Sequence, residues 1–358
     1  MKWVCAVAGL YQLFAILACI ARRGRRPEAP GQGTHGGPIS ILKPVRGADE
    51  GFRAAIASHV AILRPGDELL CGVASLDDPA VAVIREFPSV RLIECATRTP
   101  NGKVGVLMDL AAAARGSILI VNDADIRVDE DYLADVVGPL RDPSIGLVTC
   151  LYRPRGSTFA ARFEGLGVST DFAPSALVAR MVGVDEFAMG STMAFRRADL
   201  DRIGGFAAIA DYLADDYQLG HRIHALGLKC VLSDAIVETH LGGSLADIWR
   251  HQVRWARTIR VSKFGGYLGL PVTYATLWAA VAAALGDWRI ALALLAVRML
   301  MAIEAGWFVM RSADVLRLFW AIPLRDLFAA AVWGAGLCGN RVWWRGRALT
   351  LDRDGRIR

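Results

Sequence analysis

The distribution of hydrophobic positions divides the chain into a central domain between two apolar ends. Residues 3–20 form a continuous apolar run in which Gln12 is the only strongly polar side chain. As a helix, this run nearly spans a hydrocarbon core of about 30 Å. Arginines follow the run, whereas a cleaved signal peptide carries its basic residues before it. The pattern therefore predicts a transmembrane anchor at 1–21 and a Pro- and Gly-rich linker at 22–37.

A second apolar block occupies residues 261–340. It divides into three segments, at 267–285, 288–310 and 319–337. Arg298 and Glu304 lie within the second segment, so these charges must face other helices or water. Arg325 and Asp326 make a complete span by the third segment doubtful. Since the positive-inside rule places the basic tail 341–358 in the cytoplasm, we expect two spans and a re-entrant or interfacial third segment.

The central region, residues 38–260, alternates between strand-like and helix-like patterns. Strands are predicted at 39–44, 68–75, 91–95, 117–123 and 230–238, and helices at 50–63, 79–87, 103–115 and 215–226. This alternation predicts an α/β domain with a doubly wound parallel sheet. Ligands bind such sheets at the C-terminal ends of the strands, where polar residues of this chain gather.

Composition narrows the class of protein. Hydrophobic residues make up 54% of the chain and charged residues 21%, which excludes intrinsic disorder and fits a protein with both a soluble domain and membrane helices. The net charge of +6 is concentrated beside the apolar segments, which favours a membrane surface over nucleic acid as the partner. Seven scattered cysteines without a C-x-x-C pair predict reduced thiols rather than disulfides or a zinc site.

Two pairs of carboxylates carry candidate chemistry. Asp123 and Asp125 directly follow the clearest buried strand, where they can bind a hard divalent cation that bridges a diphosphate. Asp215 and Asp216 open a predicted helix. Acids in a first helical turn also complement the helix dipole, and Asp residues also make ordinary turns. If the two pairs share a cleft, one carboxylate can act as a general base toward an attacking hydroxyl.

Basic residues suggest contacts to phosphate. Arg254 can bind phosphate and Trp255 can stack on a sugar, with His251 three residues earlier. The alternative is an amphipathic interfacial helix whose arginines extend toward lipid headgroups. The chain has few lysines, yet Lys43 and Lys103 lie in the predicted nucleotide region, either by chance or as compact charges for phosphate.

The order of these segments resembles the ceramide glucosyltransferase family of inverting, nucleotide-sugar-dependent transferases, including bacterial hopanoid-glycosylating relatives. The matching stretches are SILKPVRGADEGF (40–52), DDPA (77–80), NDADIRV (122–128), GSTMAFRRADLDRIGGF (190–206), ADYLADDYQLGHRI (210–223), VRWARTIR (253–260) and PLRDLFAAAVWGAGLCGNRVWWRGR (323–347). Each motif is weak alone, but together they cover nearly the whole chain in the family's order.

The resemblance implies a GT-A fold, a UDP-sugar donor, a lipid acceptor and a divalent cation, Mg²⁺ or Mn²⁺. Asp123 and Asp125 would engage the metal and the diphosphate. Asp216 would be the catalytic base with Asp215 as its acidic neighbour. Arg254 and Trp255 would occupy the family's R-W positions.

Three departures from the family pattern affect the predicted donor site. His251 replaces the usual Gln or Arg of the R-W motif. Ser75 stands where the family commonly has an Asp, so the contact to the nucleotide base would come from Asp77 or Asp78, or would be weakened. The stretch 106–114 is apolar instead of containing Lys and Asn.

We therefore expect an integral membrane enzyme that transfers glucose or N-acetylglucosamine from a UDP-sugar to a ceramide or hopanoid hydroxyl. Its catalytic domain would be cytoplasmic, at a bacterial inner membrane. One alternative is a processive polysaccharide synthase of the cellulose-synthase type. Another is a catalytically weak lipid-binding scaffold.

Overall fold

A computed structural model describes residues 2–24, 37–344 and 346–358; most of the predicted linker lies outside these ranges. A seven-stranded sheet forms the centre of the molecule, in the order β3-β2-β1-β4-β6-β5-β7. Its strands are β1 (Ile39–Pro44), β2 (Glu68–Val73), β3 (Val90–Glu94), β4 (Ile118–Val121), β5 (Ile145–Arg155), β6 (Met193–Arg196) and β7 (Lys229–His240).

The helices follow the strands in the alternation that the sequence predicts. They are α1 (Lys2–Gly24), α2 (Phe52–Ile62), α3 (Ala80–Ile84), α4 (Gly102–Ala113), α5 (Tyr132–Val137), α6 (Phe159–Gly167), α7 (Ala173–Met181), α8 (Arg197–Arg202), α9 (Asp215–Ala225), α10 (Leu245–Ser262), α11 (Phe264–Gly269), α12 (Ala275–Ala284), α13 (Trp288–Ala302), α14 (Ala313–Arg317) and α15 (Ile322–Gly336).

The sheet is mixed rather than wholly parallel. Strands β3, β2, β1 and β4 pair in parallel, as do β5 and β7. Strand β6 lies between these two groups and runs antiparallel to both β4 and β5. The five predicted strands are confirmed with small shifts at their ends, whereas β5 and β6 have no counterpart among the predictions. The mixed α/β class is thus confirmed, with one strand reversed.

Apolar side chains cover both faces of the sheet. Ile39 and Ile41 of β1 pack into the core on one face, and Leu42 packs into the core on the other. This alternation follows from the period of two along a strand. Burial on both faces explains why β1 and β4 are apolar almost throughout.

Helices long and apolar enough to cross a membrane occur at both ends of the chain. Among the described residues these are α1 and the helix Trp288–Val309, which continues α13. A third candidate, Phe264–Thr273 with Ala275–Ala284, is bent by 56°. Helix α15 has 15 residues, which is short for a span.

Three of the charges within the apolar block, those of Arg298, Glu304 and Asp326, form ion pairs. Arg298 is 2% exposed and donates two hydrogen bonds to Asp326, at 2.8 and 2.6 Å, while the Thr276 hydroxyl donates to the same carboxylate. Glu304 pairs with Arg23 at 2.6 Å. These partners confirm that the charges face other helices.

The last 18 residues pack on the central domain. They begin with the hairpin β8 (Arg341–Trp344) and β9 (Arg347–Thr350). Beyond it, Ile357 N donates to Asp211 O at 2.7 Å, and Leu213 N donates to Gly355 O at 3.4 Å. The predicted basic tail is therefore attached to the loop that leads into α9.

Candidate active site

The two predicted carboxylate pairs meet at Lys103. Asp123 follows β4, Asp215 begins α9, and Lys103 lies in the first turn of α4. The Lys103 Nζ atom lies 2.8 Å from Asp123 Oδ1 and 3.0 Å from Asp215 Oδ2. Burial disfavours the ammonium, but the charges of Asp123 and Asp215 outweigh burial and raise the pKa of Lys103. We call Lys103, Asp123, Asp215 and Asp216 the carboxylate cluster.

Asn101 holds two of these elements together. Its side chain accepts hydrogen bonds from Lys103 N and Val104 N and so caps the N-terminus of α4. Its amide nitrogen donates to Tyr212 O at 2.7 Å. One buried side chain thus fixes both the helix that carries Lys103 and the loop that precedes Asp215. Its role was not predicted, although an Asn before a helical pattern is a recognisable cap.

Gly190 leaves an opening at the centre of the carboxylate cluster. A Cβ atom at this position would lie 3.3 Å from Asp123 Oδ2, 3.4 Å from Asp216 Oδ2 and 3.4 Å from Lys103 Nζ. The Gly190 N–H also donates to Asp216 Oδ2 at 3.0 Å. The missing side chain leaves a gap about the size of a methyl group, bordered by the three charged groups.

Asp216 has the electrostatic properties of a base that works near neutral pH. Burial raises the pKa of Asp216, and the negative charge of Asp215 raises it further, to about 6. Lys103 and the N–H groups of Tyr217 and Gly190 act in the opposite direction. The carboxylate is therefore ionised at neutral pH yet basic enough to accept a proton.

Asp125 accepts hydrogen bonds from two residues of β7. Its Oδ2 accepts hydrogen bonds from the Thr239 hydroxyl and from His240 N at 3.1 Å. Burial raises the pKa of Asp125, and the charge of Asp123 adds to this effect. Of the D-A-D pair, Asp123 is the more open member.

Lys43 is placed differently from a lysine that contacts phosphate directly. Its side chain is fully buried, and Nζ donates to Asp123 O at 3.0 Å and Ile126 O at 3.2 Å. Burial lowers the pKa of Lys43 to about 8, against the opposing effect of nearby acidic groups. In this arrangement Lys43 stabilises the main chain of the D-A-D turn through these two hydrogen bonds.

Asp77 and Asp78, the two carboxylates predicted to contact the nucleotide base, have different surroundings. Both Asp78 carboxylate oxygens accept from Gly47 N at 3.0 Å, and Oδ1 accepts from Ala80 N. Asp77 is exposed and contacts the Ser75 hydroxyl at 3.3 Å. Asp78 thus shapes its loop, whereas Asp77 remains open to a ligand.

The R-W motif lies on α10 beside a buried carboxylate. Glu164, 3% exposed, accepts a hydrogen bond from Gln252 Nε2 at 2.8 Å and pairs with His251 Nδ1 at 2.7 Å. Burial opposes ionisation, but these contacts outweigh it and lower the pKa of Glu164. With Nδ1 turned toward Glu164, the other ring nitrogen of His251 faces away from it. Glu164 was missed because it is 87 residues distant in sequence.

Aromatic rings connect the motif to the carboxylate cluster. The Trp255 ring centroid lies 4.5 Å from that of His251 and 6.3 Å from that of Phe172, which lies 5.4 Å from that of Tyr152. Burial raises the pKa of Tyr152, and the charges of Asp216 and Glu164 contribute to the shift. Tyr152 therefore lies within electrostatic reach of both carboxylates.

A recess of about 460 Å³ opens on the same helix. Its lining comprises Asp247, Arg250, His251, Arg254, Trp343, Trp344 and Gly346. Arginine, imidazole and indole groups together suit a ligand that is polar, anionic or a sugar. The hairpin β8–β9 thus forms one side of this recess, which the sequence did not predict.

The carboxylate oxygens of the cluster are compatible with a metal cation that is also bound by a substrate. Within residues 2–24, 37–344 and 346–358, no three His, Cys, Asp or Glu side chains form a complete metal site. Asp123 nevertheless presents Oδ2 to the opening at Gly190, while its Oδ1 pairs with Lys103. Carboxylate oxygens suit Mg²⁺ and Mn²⁺, which commonly take their remaining ligands from substrate phosphates and water.

Comparison with known proteins identifies the family. The family model described as "Glycosyl transferase family 21" matches residues 1–357. The chain belongs to this family. The match covers the predicted anchor, the central domain and the C-terminal apolar block, and therefore confirms the resemblance inferred from the ordered motifs.

Similar proteins act on lipids according to their names. The chain is 26% identical over 204 residues to ceramide glucosyltransferase 1 of Caenorhabditis elegans, covering 54% of this chain and 44% of that protein. It is 25% identical over 187 residues to the beta-monoglucosyldiacylglycerol synthase of Nostoc sp. (strain PCC 7120), covering 51% of this chain and 38% of that protein. The chain thus matches less than half the length of these relatives.

A solved structure shares the fold. The mannosyltransferase PcManGT from Pyrobaculum calidifontis, solved in complex with GDP-Man and Mn²⁺, superimposes with a TM-score of 0.51. The identity is 19%, and the alignment covers 92% of this chain and 98% of that one.

Proposed function

We propose that this family 21 member transfers a hexose, glucose or N-acetylglucosamine, from a UDP-sugar to the hydroxyl of a membrane lipid such as a ceramide or a hopanoid, with inversion. The observation that carries the proposal is the carboxylate cluster. It combines a basic Asp216, an open Asp123 and the charge of Lys103 around one space at the C-terminal side of the sheet. A single displacement needs this combination of a base and a site for an anionic leaving group.

Asp216 accepts the proton in the proposed step. The acceptor oxygen forms a bond to the anomeric carbon as the bond from that carbon to the diphosphate oxygen breaks. The hydroxyl proton passes to Asp216 and the bonding electrons leave with UDP. A pKa of about 6 lets Asp216 take this proton in the reaction and release it to water afterwards.

Asp123 and Asp125 are the residues that would hold the divalent cation, whose charge would stabilise the departing diphosphate. Lys103 adds a positive charge at the same place, where its ammonium contacts Asp123 and Asp215. Lys43 fixes the turn that carries both aspartates through its hydrogen bond to Asp123 O. Asp77 is the side chain available to the nucleotide base.

The acceptor would approach from the membrane helices. The aromatic series from Trp255 through Phe172 to Tyr152 leads toward the carboxylate cluster, and Phe172 immediately precedes α7, which packs against α1. A lipid hydroxyl can therefore reach the base while its chains remain in the bilayer. The excess of Arg beside the apolar segments supports a cytoplasmic catalytic domain, at the inner membrane if the source is bacterial.

A screen of donors and acceptors tests the proposal. Full-length protein in nanodiscs is supplied with UDP-glucose, UDP-galactose, UDP-N-acetylglucosamine or UDP-glucuronate, and with ceramide, diacylglycerol or a hopanoid polyol, with and without Mg²⁺ or Mn²⁺. We expect UDP release that requires one donor, one lipid and the cation. Release without any lipid, or products carrying long sugar chains, would contradict single transfer and favour the processive alternative. UDP binding without transfer to any acceptor would favour the scaffold.

A further inference from the structure

A second polar recess, of about 560 Å³, lies where α9, the end of α10 and the last residues of the chain meet. Its lining includes Tyr212, Gln218, Arg222, Arg353, Asp354 and Arg356. It contains none of the residues assigned above to the donor or to the carboxylate cluster. We propose that this recess binds a phosphate group, either in the headgroup of an anionic phospholipid or as free phosphate, and that the bound phosphate raises the rate of transfer.

The charge of the recess favours an anion. Within the part of the chain that the structure describes, Arg222, Arg353 and Arg356 form no ion pair with a carboxylate within 4.0 Å. One carboxylate, Asp354, lines the recess beside them. Asp352 lies near Arg356, but its oxygens already accept from Arg358 and from main-chain N–H groups. Guanidinium groups without a carboxylate partner are the ones best able to bind phosphate bidentately.

Two of these arginines are oriented before any ligand binds. The Arg222 and Arg356 guanidinium carbons lie 5.9 and 5.4 Å from the centroid of the Tyr212 ring. Arg356 Nε also donates to the Tyr212 hydroxyl at 3.2 Å. Arg222 Nε is buried and has no hydrogen-bond partner among the described residues. Such preorganisation reduces the entropic cost of binding.

The position of the recess fits a lipid headgroup. Ser262, the last residue of α10, lines it, and α11 begins the C-terminal apolar block two residues later. Phe264 and Leu268 of α11 are 58% and 48% exposed. A recess beside exposed apolar side chains would lie near the headgroups if those side chains enter the bilayer, where basic residues attract anionic lipids.

Tyr212 links the recess to the carboxylate cluster. Its carbonyl oxygen accepts from Asn101, which caps the helix that carries Lys103. Three residues after Tyr212, Asp215 pairs with Lys103. A phosphate bound by Arg222 and Arg356, which both contact the Tyr212 ring, would stabilise Tyr212 and thus the geometry at Asp215. The effect on rate rests on the proposed function, whereas binding itself does not.

The test separates binding from turnover. The full chain is placed in neutral phosphatidylcholine nanodiscs, in nanodiscs that also contain phosphatidylglycerol, and in neutral nanodiscs with added inorganic phosphate at constant ionic strength. The double variant Arg222→Gln/Arg353→Gln removes two guanidiniums of the recess. The double variant Arg64→Gln/Arg85→Gln removes the same charge from exposed positions elsewhere and is the matched control.

Binding is measured as the rise in unfolding temperature, which requires no activity, and the transfer rate is measured in parallel. We expect the native chain and the control to be stabilised and several-fold faster with phosphatidylglycerol, inorganic phosphate or both. The response to each identifies whether headgroup or free phosphate is the source. The recess variant should bind at least tenfold more weakly, lose the acceleration and keep its rate in neutral nanodiscs. An equal response by the recess variant and the control, or no response by the native chain, would overturn the proposal. Stabilisation without transfer in any sample would contradict the proposed function but leave the binding site intact.

Discussion

Replacing Lys103 with Met would remove a buried positive charge that contacts two carboxylates of the cluster. Asp123 and Asp215 would lose their partner, and the charge that helps to keep Asp216 ionised would also be lost. We therefore expect Asp216 to remain in place in the variant but to be largely protonated at neutral pH, and so unable to accept a proton. The loss of activity should depend on pH.

The size of this effect follows from the opening at Gly190. A Cβ atom at Gly190 would lie 3.4 Å from Lys103 Nζ and 3.4 Å from Asp216 Oδ2. These two atoms are therefore no more than twice 3.4 Å apart. At an effective dielectric constant of about 20, a unit charge at that separation contributes about 2.4 kcal/mol, or about 1.8 pKa units. Without Lys103, the pKa of Asp216 would rise from about 6 to nearly 8.

The assay is the transfer rate at saturating donor across a pH series. A base must be ionised to act, so the rate should rise with pH through the pKa of Asp216 and then level off. For Lys103→Met we expect a rate about sevenfold lower than that of the native chain at neutral pH, with much of the loss recovered about two pH units higher. Lys103→Arg, which keeps the charge, is the control. A loss of the same factor at every pH would refute this reasoning and assign Lys103 to donor binding alone.

Substitutions at three further contacts test other parts of the account. Gly190→Ala fills the space between the charged groups, so transfer should fall at least about 100-fold with little change in unfolding temperature; near-native transfer would contradict an open reaction space there. Glu164→Gln weakens the anchoring of His251, so the efficiency of transfer should fall about tenfold, and an unchanged efficiency would assign the pair to structure alone. Arg298→Met leaves Asp326 buried without its partner and should destabilise the protein by about 3–5 kcal/mol in detergent unfolding, while Asp326→Leu in addition should restore much of the loss. A double variant as unstable as the single one would contradict this account of the pair.

Local sequence predicts the half of the sheet that carries Asp123. Strand β4 is a short apolar run that ends in polar residues, and β1 and β2 alternate with helical patterns. Strand β6 was missed because four residues, Met193–Arg196, cannot be distinguished from a loop without their antiparallel partners. Its pairing with β4 and β5 depends on contacts distant in sequence.

Candidate residues were easier to predict than their environments. Asp123 and Asp216 were singled out from their positions at element ends, and the structure brings both to Gly190. Lys43 was also singled out, but sequence could not indicate that its ammonium is bound by main-chain carbonyls. Glu164 lies in an amphipathic helix like many others, and its meeting with His251 is a product of the tertiary fold.

The most direct test of the central claim is the product formed by Asp216→Asn beside that of the native chain. Both proteins are incubated in nanodiscs with the preferred UDP-sugar and lipid, the lipids are extracted, and the anomeric linkage is determined by NMR, while UDP binding is measured by calorimetry. The account predicts a glycolipid of inverted configuration from the native chain. It predicts at least about a 100-fold loss of product from Asp216→Asn with UDP binding retained. A retained configuration, or undiminished transfer by Asp216→Asn, would contradict it.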